Sequence, residues 1–368
     1  MRITRVEAIP LAIPFDHGGA PPAWGGRDWR RLDIVVVRVE TAAGLVGYGE
    51  AFAYGCRRAV AAAVDHMVAP LAVGHDAADI AGLARRLQHE LHLFGRYGIT
   101  LFAISGLDIA LWDLAGKAAG QPLHRLLGGA GRAAVPCYAS LFRYHDPERV
   151  AARTRRALDR GYGSVKLHER GLAEVAAARQ VAGPEVPLML DVNCAWSLAE
   201  AHAIVPRLQG LGLYWLEEPI WPPEGFAALA ALRARHGIAV AAGENACTAW
   251  QFAALLDAGA VDYAQPSVTK VGGVSEFAKV AALAATRGVA LAPHAPYFGP
   301  GFLATLQLTA AAPEPTLFER LDVDLEASLY GDAIDPLGGA LTLPDGPDLG
   351  RDPDPDVLRD YRRDDDAA

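Results

Sequence analysis

What most constrains this chain is an alternation that begins near Val135 and runs almost to its end. Eight short apolar runs, at 135–140, 164–168, 188–193, 213–218, 239–244, 261–267, 289–294 and 316–319, are separated by longer stretches, several of which carry apolar residues at helical spacing. Short buried strands alternating with amphipathic helices read as βα units and a parallel sheet. Eight in succession predict a closed (β/α)8 barrel rather than an open sheet. The 368 residues leave room for a second, smaller unit.

That unit is expected at 1–127, where the texture does not repeat. A strand over 3–13, a hairpin of 33–40 and 45–51 turning at Thr41 to Gly44, and helical patterns at 58–73, 76–93 and 100–119 make an α+β capping domain. The Gly-, Pro- and aromatic-rich stretch 14–29 reads as a lid loop. The barrel is placed at 128–325. The segment 326–368 is expected to return to the capping domain, with 329–343 packing there and the Asp-rich last residues disordered. The predicted fold is thus α/β: a modified (β/α)8 TIM barrel with an α+β cap built from the N-terminal segment and the C-terminal tail.

Charge and cysteine usage exclude other classes. With 43 acidic against 34 basic residues the net charge is −9, and the basic clusters are short, so no nucleic-acid partner is expected. No uninterrupted apolar run reaches the roughly 20 residues of a membrane span. The first residues read as a strand rather than a signal peptide, which points to a cytoplasmic enzyme. Cys56, Cys137, Cys194 and Cys247 are far apart and lack a CxxC pair, so buried thiols are expected rather than disulfides or zinc.

The catalytic face of such a barrel lies at the C-terminal ends of its strands. Strand two ends Lys166-Leu-His168, strand three Asp191-Val-Asn193, strand four Glu217-Glu218-Pro219, and strand five Gly243-Glu244-Asn245. Strand six ends at Ser267, strand seven at His294 and strand eight at Glu319. Asp191 to Glu217 spans 26 residues and Glu217 to Glu244 spans 27, one βα unit each, so the three carboxylates stand at one height on neighbouring strands. They would repel unless a divalent cation lay between them, and an all-oxygen set suits Mg²⁺.

The pattern Lys-x-His, Asp-x-Asn, Glu-Glu-Pro, Gly-Glu-Asn and a strand-seven His resembles the mandelate racemase/muconate lactonizing branch of the enolase superfamily. So do Gly47-Tyr-Gly-Glu50, the stretch from Gly106 to Asp113, Gly272-Gly273 and the Pro-Asp-Gly-Pro tail. The resemblance implies Mg²⁺ on Asp191, Glu217 and Glu244, abstraction of the proton α to a substrate carboxylate, and a homo-oligomer. It gives Lys166 the substrate carboxylate, and it makes Glu319 a protonated donor to the enediolate or a plain second-shell group. Asn193 and Asn245 either support the metal or cap helices; Lys270 pairs with Glu244 or is structural. Two positions depart from the family: His168 stands where Lys is usual, and Ser267 where a Lys base or an Asp partner of the strand-seven His is usual. A Ser can orient His294 but lends it no charge.

Two different bases facing a substrate can remove a proton on one side and protonate a leaving hydroxyl on the other. The expected reaction is therefore dehydration of a hydroxy acid, an acid sugar, to a 2-keto-3-deoxy acid, with His294 nearest the leaving group. A racemase, epimerase or cycloisomerase, and a non-catalytic relative, are the alternatives. His17, Trp24, Arg27, Tyr54 and Tyr297 are the candidate contacts of a small-molecule carboxylate substrate.

Overall fold

The computed structural model describes residues 1–24, 27–129, 132–344 and 346–364. Its N-terminal strand Ile3–Asp16 pairs antiparallel with Arg31–Thr41, which turns at Gly44 (φ +81°) into Val46–Ala51. The alternation read as one buried face serves two. Ile34 and Val36 join the barrel's core, whereas Val35, Val37 and Val39 face the cap's helices. A strand whose successive side chains enter two cores is covered on both sides, so the sheet is the layer between cap and barrel.

Helix Gly98–Ala119 lies directly on this hairpin. A Cβ at Gly49 would run into the Gly106 carbonyl oxygen, and one at Gly47 into that of Ala110. The Gly-Tyr-Gly sequence is thus the condition for backbone-to-backbone approach. By length and composition the helix could cross a membrane, but 72% of its apolar window is buried inside the protein, as in a core helix.

The barrel is a curled parallel sheet of eight strands. They are Ala134–Ser140, Val165–Leu167, Leu188–Asp191, Trp215–Glu217, Val240–Ala242, Tyr263–Ala264, Ala290–Leu291 and Phe318–Leu321. Each pairs with the next as far as the seventh, and the eighth pairs with the first at Phe318 and Cys137. Tyr138, Met189, Trp215, Ala241 and Ala292 fill the interior, so the mouth has a floor.

The C-terminal segment divides differently from expectation. Asp324–Leu325 extends the cap sheet against Phe15 and Asp16. The apolar stretch expected on the N-terminal unit instead sends Ala340–Thr342 antiparallel along the first barrel strand, where Leu341 and Leu343 join the main core. Residues further on reach the cap: Arg363 N–H donates to the Pro10 carbonyl at 2.8 Å and Ala12 N–H to that of Tyr361 at 3.1 Å.

Glu50, on the cap hairpin, ties the two units together. Its Oε2 accepts the Gly301 N–H at 2.8 Å, at the start of helix Pro300–Ala311 of the barrel. Burial pushes the carboxyl from 4.5 up to about 8, the Gly301 and Gly299 amides pulling the other way. A raised carboxyl contributes stability fully below its unfolded value and loses it as pH climbs through the folded one, here between 4.5 and about 8. Glu50→Gln cannot ionise, so from about pH 5 to about pH 8.5 the stability difference is expected to move in its favour by up to about 4 kcal/mol. Paired melting curves check this; a difference that stays flat with pH refutes it.

Candidate active site

The strand ends converge as their spacing requires. Asp191, Glu217 and Glu244 each offer an oxygen within 4.8 Å of the other two. Three oxygen donors this close, and no sulfur or imidazole among them, fit a hard octahedral cation such as Mg²⁺. Glu217 is wholly buried, its Oε2 accepting the Trp215 indole N–H at 2.9 Å. Burial, reinforced by Asp191 and Glu319, drives its pKa well up, against the pull of Lys166. For Asp191 and Glu244 burial is outweighed by neighbouring basic side chains. His168 and Lys166 hold Asp191 well below the usual range, and His294 and Lys270 bring Glu244 down to about 2.

Lys166 is fully buried among three carboxylates, its Nζ 2.8 Å from Glu217, 2.8 Å from Glu319 and 3.5 Å from Asp191. Burial alone would lower its pKa, but Glu217 and Glu319 hold it well above the ordinary value. Glu319 was expected either as a protonated donor to the enediolate or as a plain second-shell group. All its partners are donors: Ser140 Oγ at 2.8 Å and Lys166 on Oε1, and Ala295 N–H at 2.9 Å on Oε2. Lys166, then His294, overcome the burial that would raise its pKa and hold it below the ordinary value.

The histidines flank this centre. His168 Nδ1–H donates to the Leu141 carbonyl at 2.6 Å, which leaves Nε2 facing Asp191 at 3.2 Å. His294 Nε2 lies 2.9 Å from Glu244 on the other side. Behind it, Nδ1 is 3.4 Å from Ser267 Oγ and 3.3 Å from the Tyr297 hydroxyl. Ser267 thus faces the back of the His294 ring, and Tyr297, taken from the sequence as a substrate contact, is buried behind the same ring. Lys270 sits 3.6 Å from Glu244 and 3.4 Å from Asn245 Oδ1, over the Phe52 ring. Neither asparagine caps a helix. Asn193 donates its backbone N–H to Asp191 at 2.8 Å, and the Asn245 amide donates to both oxygens of Glu218 at 3.0 and 2.9 Å.

A cavity of about 590 Å³ opens above these groups, lined by His168, His294, Glu244 and Glu319 below and by Trp29, Phe52, Tyr54, Phe142 and Trp221 among the aromatics. Trp29 brings the 14–29 loop over the mouth, its ring 5.1 Å from Tyr54 and 5.4 Å from Phe142. His17 is not a wall of this cavity. It is 3% exposed, stacked on Phe142 at 4.7 Å, with Nε2 on the Ala20 carbonyl at 3.1 Å. Its apolar surroundings draw it inward. The side chains of Trp24 and Arg27 lie outside the described residues.

Three groups escaped the sequence reading. Cys194, expected as a buried thiol, lines the cavity and contacts Glu218 at 3.4 Å. Glu218 also lines it, and burial, with Glu244 and Asp191 adding, pushes its carboxyl up to about 8. Arg143, just past the first barrel strand, lies between His168 and Asn193. For two of them the backbone explains the miss: Cys194 and Glu218 have positive φ (53° and 42°). That rare conformation turns strand ends into the mouth, and no spacing rule anticipates it.

Fold and site together define a barrel with three clustered carboxylates, able to hold a cation, between two histidines. Comparison with known proteins agrees. Residues 27–128 match the mandelate racemase/muconate lactonizing enzyme N-terminal domain, and residues 149–357 match the enolase C-terminal domain-like family. Among curated relatives, D-galactarolactone cycloisomerase of Agrobacterium fabrum is 34% identical, covering 98% of this chain and 99% of its own. Arabinonate dehydratase of Saccharolobus solfataricus is 32% identical over 90% and 91%. The crystal structure of L-talarate dehydratase from Polaromonas sp. JS666 with Mg and L-glucarate superposes with a TM-score of 0.81, at 28% identity over 98% and 97%. This chain belongs to the mandelate racemase/muconate lactonizing enzyme family of the enolase superfamily, and it is an enzyme of the lyase or isomerase kind.

Proposed function

We propose that this enzyme removes the proton α to the carboxylate of an acid sugar and eliminates the β-hydroxyl, yielding a 2-keto-3-deoxy acid. The observation that carries the reading is the placement of two imidazole Nε2 atoms on opposite flanks of one carboxylate trio, at Asp191 and at Glu244. Asp191, Glu217 and Glu244 would hold Mg²⁺, which supplies Lewis-acid stabilisation to the charge that builds on the substrate carboxylate. Lys166 adds a fixed positive charge beside that carboxylate at no cost of reorganisation. His168, its proton held on Nδ1 by Leu141, offers Nε2 as the base. His294, its Nε2 directed at Glu244, is the acid for the departing hydroxyl. The aromatic roof keeps bulk water from the carbanion.

Cycloisomerisation is the second reading, favoured by the 34% identity to a cycloisomerase; it shares the first step and differs in the bond that breaks. Proton NMR in D₂O separates them. Wild type with Mg²⁺ is expected to form a keto acid from an open-chain acid sugar. Each of His168→Asn and His294→Asn should lose about 10²–10⁴-fold in kcat, while His294→Asn still exchanges the α-proton. Exchange into recovered substrate by wild type, with no keto acid, sinks dehydration.

A further inference from the structure

We infer that Arg143 recognises a second carboxylate on the substrate, so that the preferred acid sugar carries an acid group at both ends. The inference rests on the acid-sugar reading above and narrows it.

Three observations support it. First, among the described residues lining the cavity, Arg143 is the one permanently charged cation. Lys166 is buried below among Glu217, Glu319 and Asp191, and Lys270 faces Glu244 and Asn245. Second, the guanidinium is positioned without being neutralised. Its Nε donates to the His168 carbonyl, and one Nη donates to Asn193 Oδ1 at 3.0 Å. Both acceptors are uncharged, and no described carboxylate lies within ion-pair distance of it. Its other Nη makes no hydrogen bond to a described residue. A planar fork held on one edge, with the other edge free, is the geometry that takes a carboxylate. Third, the surroundings leave the charge exposed to a ligand. Burial, then the neighbouring Arg170, depress the Arg143 pKa, with Asp191 and Glu169 compensating only in part. A half-buried cation with no charged partner is well placed to gain from an incoming carboxylate.

The rest of the lining agrees with a single distal charge. Trp29, Phe52, Tyr54, Phe142 and Trp221 supply apolar faces suited to the C–H face of a carbohydrate chain and no further cation. The first carboxylate of the substrate belongs to the Lys166 end. A terminal alcohol in place of the second would leave Arg143 without a charged partner, the kind of loss by which a polar site discriminates between analogues.

The test compares aldaric acids with the aldonic acids of matching configuration, for example galactarate with galactonate and glucarate with gluconate, in Mg²⁺. Wild type is expected to prefer its best diacid over the matching monoacid by at least about 100-fold in kcat/KM. Arg143→Gln should lose about 100-fold on the diacid, mostly in KM, and little on the monoacid, with Arg143→Lys between the two. Because Arg143 also steadies the His168 and Asn193 loops, a purely structural role would lower both classes equally, and that result overturns the inference. So does a wild type that turns over monoacids as well as diacids, in which case the acid-sugar reading stands alone. No reaction with either class brings down the reading and the inference together.

Discussion

Replacing Glu217 by Gln is expected to weaken Mg²⁺ binding by at least about 100-fold and to lower kcat by about 1,000-fold or more, since loss of this ligand removes several kcal/mol of charge stabilisation. The size of the effect follows from the site. Glu217 is buried with both oxygens committed: Oε1 faces Lys166 Nζ at 2.8 Å and Oε2 faces the Trp215 indole N–H at 2.9 Å. A Gln amide must point its NH₂ at one of those donors, so the substitution removes the charge and orphans a buried group besides. Isothermal titration with Mg²⁺, and activity after chelation and re-addition of metal, read both parts. If Glu217→Gln, Asp191→Asn and Glu244→Gln all bind Mg²⁺ as wild type does, the three carboxylates are not a cation site.

The second large effect is expected at Lys166. In the metal-free protein its ammonium offsets Asp191, Glu217 and Glu319, each 0–2% exposed in its side chain. Lys166→Met keeps the volume and removes the charge. Breaking a buried pair in this way costs about 3–5 kcal/mol, and kcat should fall by 1,000-fold or more as the substrate carboxylate loses its fixed partner (roughly 4 kcal/mol). The two losses separate in a melting experiment. Without metal the variant should unfold several degrees below wild type, and saturating Mg²⁺ should raise its melting temperature more than that of wild type, because the cation then does part of the work of the missing ammonium. An equal Mg²⁺ shift in both proteins would show that Lys166 does not share the electrostatic load of the centre.

Much of this site was legible in the sequence because a barrel converts chain spacing into height. Residues about one βα unit apart, such as Asp191, Glu217 and Glu244, bring their carboxylates together at the strand ends, although only Asp191 and Glu217 are register partners and Glu244 lies two residues past its strand. His168 and His294 likewise follow the ends of their strands, by one and three residues. Side chains whose placement depends on how the chain leaves a strand were not legible. Arg143 lies three residues beyond the first barrel strand and reaches the site by a loop whose course depends on its hydrogen bond to His168 O. Tyr297 sits three residues past His294 and turns back beneath it. His17 came from a loop rich in polar signals, yet Phe142 and Tyr144 enclose it. The surroundings of Glu319 were equally hidden, since the donors Lys166, Ser140 and Ala295 converge on it from three different elements. The two-faced burial of Ile34 to Val39 shows the limit of periodicity: alternation reports that a strand has two sides, not whether one of them meets water.

The contact at Gly49 and Gly106 acts as a lever. With no side chain between strand and helix, the seam fixes how close the strand lies to the helix one residue before Glu50 and five before Tyr54 on the cavity wall. A methyl group added at Gly49, on the far side of the cap sheet from every reacting atom, would displace that whole arm. The shape of the space that receives the substrate is therefore set in part by a joint that the substrate never meets.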